Sequence, residues 1–419
     1  MVEVWLPYGS TEVCVRIPTA NLLDIIEPKK MDVAQNPQAE IRSALQYPLG
    51  DARLTEIVKP GAKITIVLKD SGISTNRMLL STLLEELNSA GVRDGDVTIL
   101  VAHDPLRTAS SQRDLQLLGA ETSAKLRIVR HSCEAEGQAY VGKTSSGIEI
   151  HLNKLFTEAD VKILAGPVEP HPIAGYSGGR EVVLPGVASL YSIREVFRLG
   201  LDEKAKMGNL EGNPVHEEMS DAADLAQVDF TLNVVRDSKF DVVKAFAGDL
   251  DKAFEKSVRL AEEIYKVPVE NRADMVFISP GGSFFDGTLQ EAIVSLDGAL
   301  EVVKRGKAVA LVAECASGYG DKAFLEALSR FSRPKDLRKY LERKFSISGL
   351  MAYRLMSVLQ QVDLAIVSIM PDYYVSRVFK MKTVRTVNEA YRLFKDIVGN
   401  RGKVSFIPYG RLTVPFMKT

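Results

Sequence analysis

The sequence predicts an α/β protein of two α/β domains, a doubly wound N-terminal domain and a smaller C-terminal one, with a cleft between them. Three observations predict it. Short unbroken apolar runs recur at residues 64–68, 97–102, 126–129, 161–165 and 230–235. Runs of this kind are what strands look like when a parallel sheet buries both their faces. Segments of helical spacing separate them, and those at 79–90 and 111–118 stop at Gly91 and Gly119. Glycine is the usual helix stop. A chain of 419 residues is also longer than one ordinary core supports.

In chain order, residues 1–20 read as two short strands around the turn at 7–10, with alternation in 12–17. A helix follows at 37–44, and then the strand 64–68, which ends in Lys69-Asp70. The strand 97–102 leads into His103, and the strand 161–165 into a loop holding His171. In a doubly wound sheet the ligand crevice lies beyond the carboxyl ends of the strands, so Asp70, His103 and His171 are expected to line one crevice. Helices at 192–199 and 253–265 complete the first domain, 1–268, and 267–272 reads as a linker. The second, 269–419, carries apolar strands at 273–279, 308–313, 364–367 and 404–408. The run 335–344, rich in both charge signs, reads as a solvated helix face.

Composition excludes several classes. With 46% hydrophobic residues, 26% charged residues and a formal net charge of −1, the chain has no electrostatic footprint for nucleic acid or anionic membrane. No apolar run is long enough to span a bilayer, and the N-terminus shows no basic-then-apolar leader. The three cysteines, Cys14, Cys133 and Cys315, are too few and too scattered for a disulfide framework or a cysteine zinc site. The expected location is therefore the cytoplasm. Cys315 reads as a small buried residue at a strand end rather than as a nucleophile.

The most informative stretch is 166–186, with five glycines, four prolines and His171 in what reads as an exposed loop. Glycine lets backbone approach a ligand and proline fixes the path, so a loop so punctuated is expected to build a site. Ser177, Gly178, Gly179 and Arg180 offer backbone N–H groups of the kind that hold a phosphate or carboxylate. His171 is a candidate acid or base.

This stretch resembles the signature of the nickel-pincer lactate racemase family, PH-x-x-AG-[FY]-SGGRK-x-x-LPG. The similarity runs from about residue 64 to 415, through 141–147, Asn153-Lys154, 158–164, 212–214, 233–235 and 311–320. It implies an ancestral racemase or epimerase of 2-hydroxy acids, a nucleotide-derived cofactor at Ser177 to Arg180, and a proton-moving histidine at His171. The departures fall on the chemistry. Glu181 stands where the family's lysine joins the cofactor covalently, and Phe197 where a histidine ligates nickel. Leu106 occupies the place of the second catalytic histidine, with His103 three residues earlier. Ile73 replaces an arginine that grips the substrate carboxylate. In the second domain Gln290, Glu291 and Val294 replace tyrosine, glutamine and lysine. Covalent attachment of the nickel-pincer cofactor is therefore not expected, no metal ligands are assigned, and the cofactor is left open.

The sequence reading is a racemase- or epimerase-type isomerase acting on a small 2-hydroxy acid or related anion with altered cofactor use. The alternatives are a catalytically silent small-anion or nucleotide-binding homologue, and a racemase holding the nickel-pincer cofactor noncovalently. His171 and His103 are the candidate catalytic residues. Asp70, Ser177, Gly178, Gly179, Arg180, Glu181 and Gln290 are the candidate binding residues. The expected partner is a small anion or nucleotide, and a homo-oligomer is left open.

Overall fold

The apolar runs assemble, in a computed structural model of the protein, into two six-stranded sheets. The structure describes residues 1–50, 52–70, 72–107 and 126–418, so the expected helix at 111–118 lies outside the described residues. The chain divides into two compact units. One comprises Lys30–Pro105 and Arg113–Ile264, and the other Met1–Lys29, Leu106–Gln112 and Tyr265–Thr419.

In the first of these units the strand order is Val242–Gly248, Phe230–Arg236, Val161–Pro167, Ile64–Leu68, Val97–Val101, Arg127–Arg130. All neighbours are parallel except Val242–Gly248, which turns back along Phe230–Arg236. Ile64–Leu68 lies at the centre and every residue of it is buried, which is why it shows no alternation. The chain adds two strands on one side of Ile64–Leu68, then crosses and places Val161–Pro167 on the other. Strand order thus reverses between these two strands, and the loops leaving their carboxyl ends diverge there. That is the topological switch point at which open α/β sheets bind ligands.

The helix Ile73–Ser89 buries Leu79, Leu80, Leu83 and Leu87 on the core of this sheet. It starts earlier than its apolar spacing shows. Its first turns contain Ser74, Thr75 and Asn76, and the last two are buried polar residues that hide the helical period.

In the other unit the order is Lys382–Val384, Asp363–Val367, Val303–Val312, Ala273–Ile278, Val404–Ile407, Leu22–Ile25, all parallel. Two expectations change here. The first 29 residues count with this unit, because Leu22–Ile25 adds an edge strand beside Val404–Ile407. The supposed linker, 267–272, overlaps the strand Lys266–Val269, which pairs with Val414–Met417, so that two short segments satisfy each other's backbone groups. The charged run lies on the helix Pro334–Arg343, which buries Pro334, Leu337 and Leu341. Among the described residues no helix is long and apolar enough to cross a membrane.

The stretch 166–186 is not an exposed loop. Every residue in it except Arg180 is buried. Burial is tolerable because its polar groups are met inside. Pro170–His171 and Gly175–Tyr176 form a short antiparallel hairpin. The Val168 N–H donates to Val234 O at 2.9 Å and the Ser177 N–H to Glu169 O at 2.8 Å. Its four prolines have no N–H to satisfy. Gly175 has φ of +78°, and a side chain there would start 2.2 Å from Asn209 O.

A buried ion pair pins the stretch to the sheet. Arg236 ends the strand Phe230–Arg236 and donates from Nε to Glu169 Oε1 at 3.0 Å, with a second bond from Nη2 to the same oxygen. Its Nη1 donates to Thr75 Oγ1 at 3.0 Å, so one guanidinium joins three segments. Removing one member of such a pair strands the other charge. Arg236→Leu is expected to lower stability by roughly 3–5 kcal/mol. Arg236→Leu with Glu169→Leu is expected to lower it far less. Denaturant unfolding of the three proteins checks this; equal losses in single and double variants would show that the charge pairing is not what the stretch depends on.

Candidate functional site

The switch point presents charge. Lys69 extends the ladder beyond Ile64–Leu68, its N–H donating to Ala165 O at 3.0 Å. Gly166, opposite, lacks the side chain that would begin 2.8 Å from Lys69 Cβ. The lysine therefore passes close over the neighbouring strand end, and its Nζ lies 2.9 Å from Glu181 Oε2. That oxygen also accepts the Gly178 N–H at 3.3 Å. The lysine and glutamate side chains are 16% and 6% exposed, so solvent screens the pair little. Asp70 follows, half-buried, with Oδ1 3.4 Å from the Gly72 N–H.

His103 leaves the next strand. Its backbone N–H donates to Gly186 O at 2.8 Å, and the Gly186 N–H donates to Glu181 O at 3.2 Å. Two backbone bonds thus carry position from Glu181 to His103. Burial lowers the pKa of His103; Asp104 and Glu134 oppose that and Arg130 adds to it. The ring is accordingly neutral at neutral pH, the form that accepts a proton. Beside it stands His131, which sequence reasoning missed. Its Nε2 donates to Ala188 O at 2.8 Å and its Nδ1 accepts from Asn153 Nδ2 at 3.0 Å. Burial pushes its pKa down to about 4, so this histidine is a neutral brace.

His171 is buried, and its ring orientation is set by its own hairpin. Nδ1 accepts the Ala174 N–H at 2.9 Å and the Ile173 N–H at 3.3 Å. The neutral ring then carries its hydrogen on Nε2 and can donate there. Protonating Nδ1 would displace both backbone donors. Asn213 holds the far side of the hairpin, donating from Nδ2 to Ile173 O at 2.9 Å while Oδ1 caps the helix Pro214–Ala226.

The Ser177 to Arg180 segment is engaged within the protein. Ser177 Oγ accepts the Glu169 N–H at 3.1 Å and donates to Pro167 O at 3.4 Å. The Gly178 N–H goes to Glu181, and a side chain at Gly178 would begin 2.8 Å from Pro167 O. One at Gly179 would begin 3.0 Å from Phe254. These glycines let chain pack on chain. Arg180 pairs with Asp251 and lies 4.7 Å over the Phe254 ring. His216 stacks on that same ring, and burial and Arg180 push its pKa down to about 4.

The structure therefore brings Lys69, Asp70, His103 and Glu181 to one edge of one sheet, with the His171 hairpin beginning on the adjacent strand end. Gln290 belongs to the other unit. It is buried and bonded to Asp321, accepting the Asp321 N–H at 3.1 Å, and Asp321 caps the helix Lys322–Arg330. Phe197 is fully buried, Leu106 is buried, and Ile73 is 42% exposed at the start of its helix.

Similarity to known proteins follows the whole chain. Residues 8–208 match the lactate racemase N-terminal domain and residues 269–414 the lactate racemase C-terminal domain. The chain is 30% identical over 421 residues to a lactate racemase of Thermoanaerobacterium thermosaccharolyticum, covering 98% of each. It is 26% identical over 422 residues to one of Lactiplantibacillus plantarum, covering 98% of this chain and 99% of that one. The structure of the lactate racemase apoprotein from T. thermosaccharolyticum matches with a TM-score of 0.88 at 30% identity, over 99% of this chain and 100% of that one. A crystal structure of a Thermotoga maritima protein, 16% identical with a TM-score of 0.67, shares the fold. With both domain matches and this identity across nearly its full length, the chain belongs to the lactate racemase family.

Proposed function

We propose that the protein is a racemase- or epimerase-type isomerase acting on a small 2-hydroxy acid or a related anion, with cofactor use unlike that of the nickel-pincer pattern. The observation that carries this reading is the charged pair Lys69–Glu181 at the switch point of a lactate racemase fold, connected by backbone bonds to a neutral His103. His103 takes up a proton from substrate, and His171 donates a hydrogen bond from Nε2. Asp70 orients the substrate at the strand end.

The residues at the two diagnostic positions do not fit a covalently held nickel-pincer group. Glu181 is a carboxylate bonded to Lys69 and to the Gly178 N–H, and it has no amine to join to a cofactor. Phe197 is a fully buried phenyl ring without a lone pair for a metal. Lactate's C–H is too weakly acidic for histidine alone, so the substrate must bear a more acidic C–H or be activated otherwise.

The reading is tested by following α-hydrogen exchange in deuterated water, by proton NMR, across a panel of small 2-hydroxy acids and their 2-oxo relatives. Exchange with at least one, lost in His103→Ala, is expected; no exchange across the panel would remove the isomerase reading. With L-lactate itself, chiral chromatography is expected to show no D-lactate above background, and measurable D-lactate abolished by His171→Ala would mean the substitutions have been read too strictly. The ion pair sets a further expectation. Glu181→Lys alone faces two buried ammonium groups and is expected to cost roughly 3 kcal/mol of stability. Lys69→Glu combined with Glu181→Lys restores an opposite-charge pair and is expected to recover most of it. Melting temperatures of the three proteins decide the point, and a stable Glu181→Lys single variant would contradict it.

A further inference from the structure

We infer that Lys69 is a reactive amine that condenses with the carbonyl carbon of a small aldehyde or ketone, with Glu181 carrying the protons of the step. This rests on the isomerase reading for its place in the chemistry, and names the substrate class that reading lacks. Three observations carry it.

The first is location. Lys69 sits where strand order reverses in the sheet, on the carboxyl edge, and not on a solvated helix face. The second is pairing. The amine lies 2.9 Å from one oxygen of a carboxylate, and both side chains are largely withdrawn from water. A lysine so placed has a built-in acceptor for the proton it must lose before it can attack. The third is geometry around the carboxylate. Oε2 is held by Lys69 and the Gly178 N–H, while Oε1 makes no hydrogen bond among the described residues. One oxygen is fixed and the other is left to receive or return a proton.

The step balances without a co-reactant. Glu181 takes a proton from the Lys69 ammonium. The freed nitrogen lone pair forms a bond to the carbonyl carbon, and the carbonyl π electrons move to oxygen, which takes the proton back from Glu181. The carbinolamine hydroxyl then leaves as water, using a second proton relayed from nitrogen through Glu181. The product is an iminium beside the Glu181 carboxylate. An iminium withdraws electrons from the neighbouring carbon and makes its C–H far more acidic. This supplies the stabilisation that a histidine base needs, with His103 on the adjacent strand end as that base.

The test is reductive trapping on the full-length protein. Glyoxylate, a 2-oxo acid, and propanal, an uncharged aldehyde, are each incubated with it and sodium cyanoborohydride, and the adducts are mapped by peptide mass spectrometry. Lys322, with its side chain 86% exposed, is the internal reference. Labelling of Lys69 roughly tenfold faster than Lys322 at pH 7 is expected, and loss of about that factor in Glu181→Gln. Glyoxylate labelling faster than propanal identifies an anionic substrate, and the reverse a neutral one; either order supports the inference. Lys69 labelling no faster than Lys322, or unaffected by Glu181→Gln, would overturn it. Should Glu181→Gln fail to fold, the ratio of Lys69 to Lys322 labelling in the unmodified protein decides. Trapping at Lys69 without α-hydrogen exchange upholds the inference and removes the isomerase reading, whereas exchange without trapping does the opposite.

Discussion

The ion pair between Lys69 and Glu181 is the constraint on which the site depends. Each partner comes from a different strand end, one after Ile64–Leu68 and the other beyond Val161–Pro167. These are the two strands between which the sheet changes direction. A doubly wound sheet opens a gap there because successive crossovers go to opposite sides. Closing part of that gap with two opposite charges fixes the turn Gly178 to Glu181, and through the Glu181 and Gly186 backbone it fixes His103. Neutralised within the pair, neither charge carries the full penalty of isolated burial, yet neither is inert.

Around this pair the chain uses polar groups as fasteners. Arg236 joins Glu169 and Thr75, Asn213 joins the His171 hairpin to a helix start, and His131 joins Asn153 to Ala188. Each fastener is buried and each is bonded at more than one atom. Such groups contribute modestly when satisfied and are costly when half-satisfied. The stretch 166–186 is therefore held in one conformation, although five of its residues are glycine. Gly178 and Gly179 serve that end, since side chains there would meet Pro167 and Phe254.

Much of the fold was legible because buried parallel strands read as apolar runs. Ile64–Leu68, Val97–Val101 and Ala273–Ile278 could be placed from their residues alone. The edge strand Leu22–Ile25 could not, since it is short, only partly buried and paired with a strand near the other end of the chain. The start of the helix Ile73–Ser89 was hidden by buried Thr75 and Asn76. At the site, the motif gave residue types but not directions. Ser177 and Arg180 have the chemistry to hold an anion, yet they point at Pro167 and Asp251. Lys69 stood next to Asp70 in plain view, but its partner is 112 residues away and no local pattern links them. His131 shows the same blindness, since its brace is made by Asn153 and Ala188 through tertiary contact.

The substitutions in this chain form a chemical argument when the ion pair is taken first. A carboxylate at position 181 cannot anchor a cofactor through an amine, but it holds the ammonium of Lys69 at 2.9 Å. A phenylalanine at position 197 cannot bind a metal, but fully buried it fills the core where a polar ring would need a partner. An isoleucine at position 73 puts a half-exposed apolar side chain at the start of its helix. On one sheet edge the structure places an amine, a carboxylate and a neutral imidazole, those of Lys69, Glu181 and His103. Those three groups are the working set of proton-transfer chemistry on carbonyl compounds. A nucleophilic amine creates the electron sink, a carboxylate shuttles the protons of its formation, and an imidazole of depressed pKa takes the proton from carbon. The scaffold that holds them matches the lactate racemase apoprotein with a TM-score of 0.88, and a shared fold leaves the chemistry to the residues of the site.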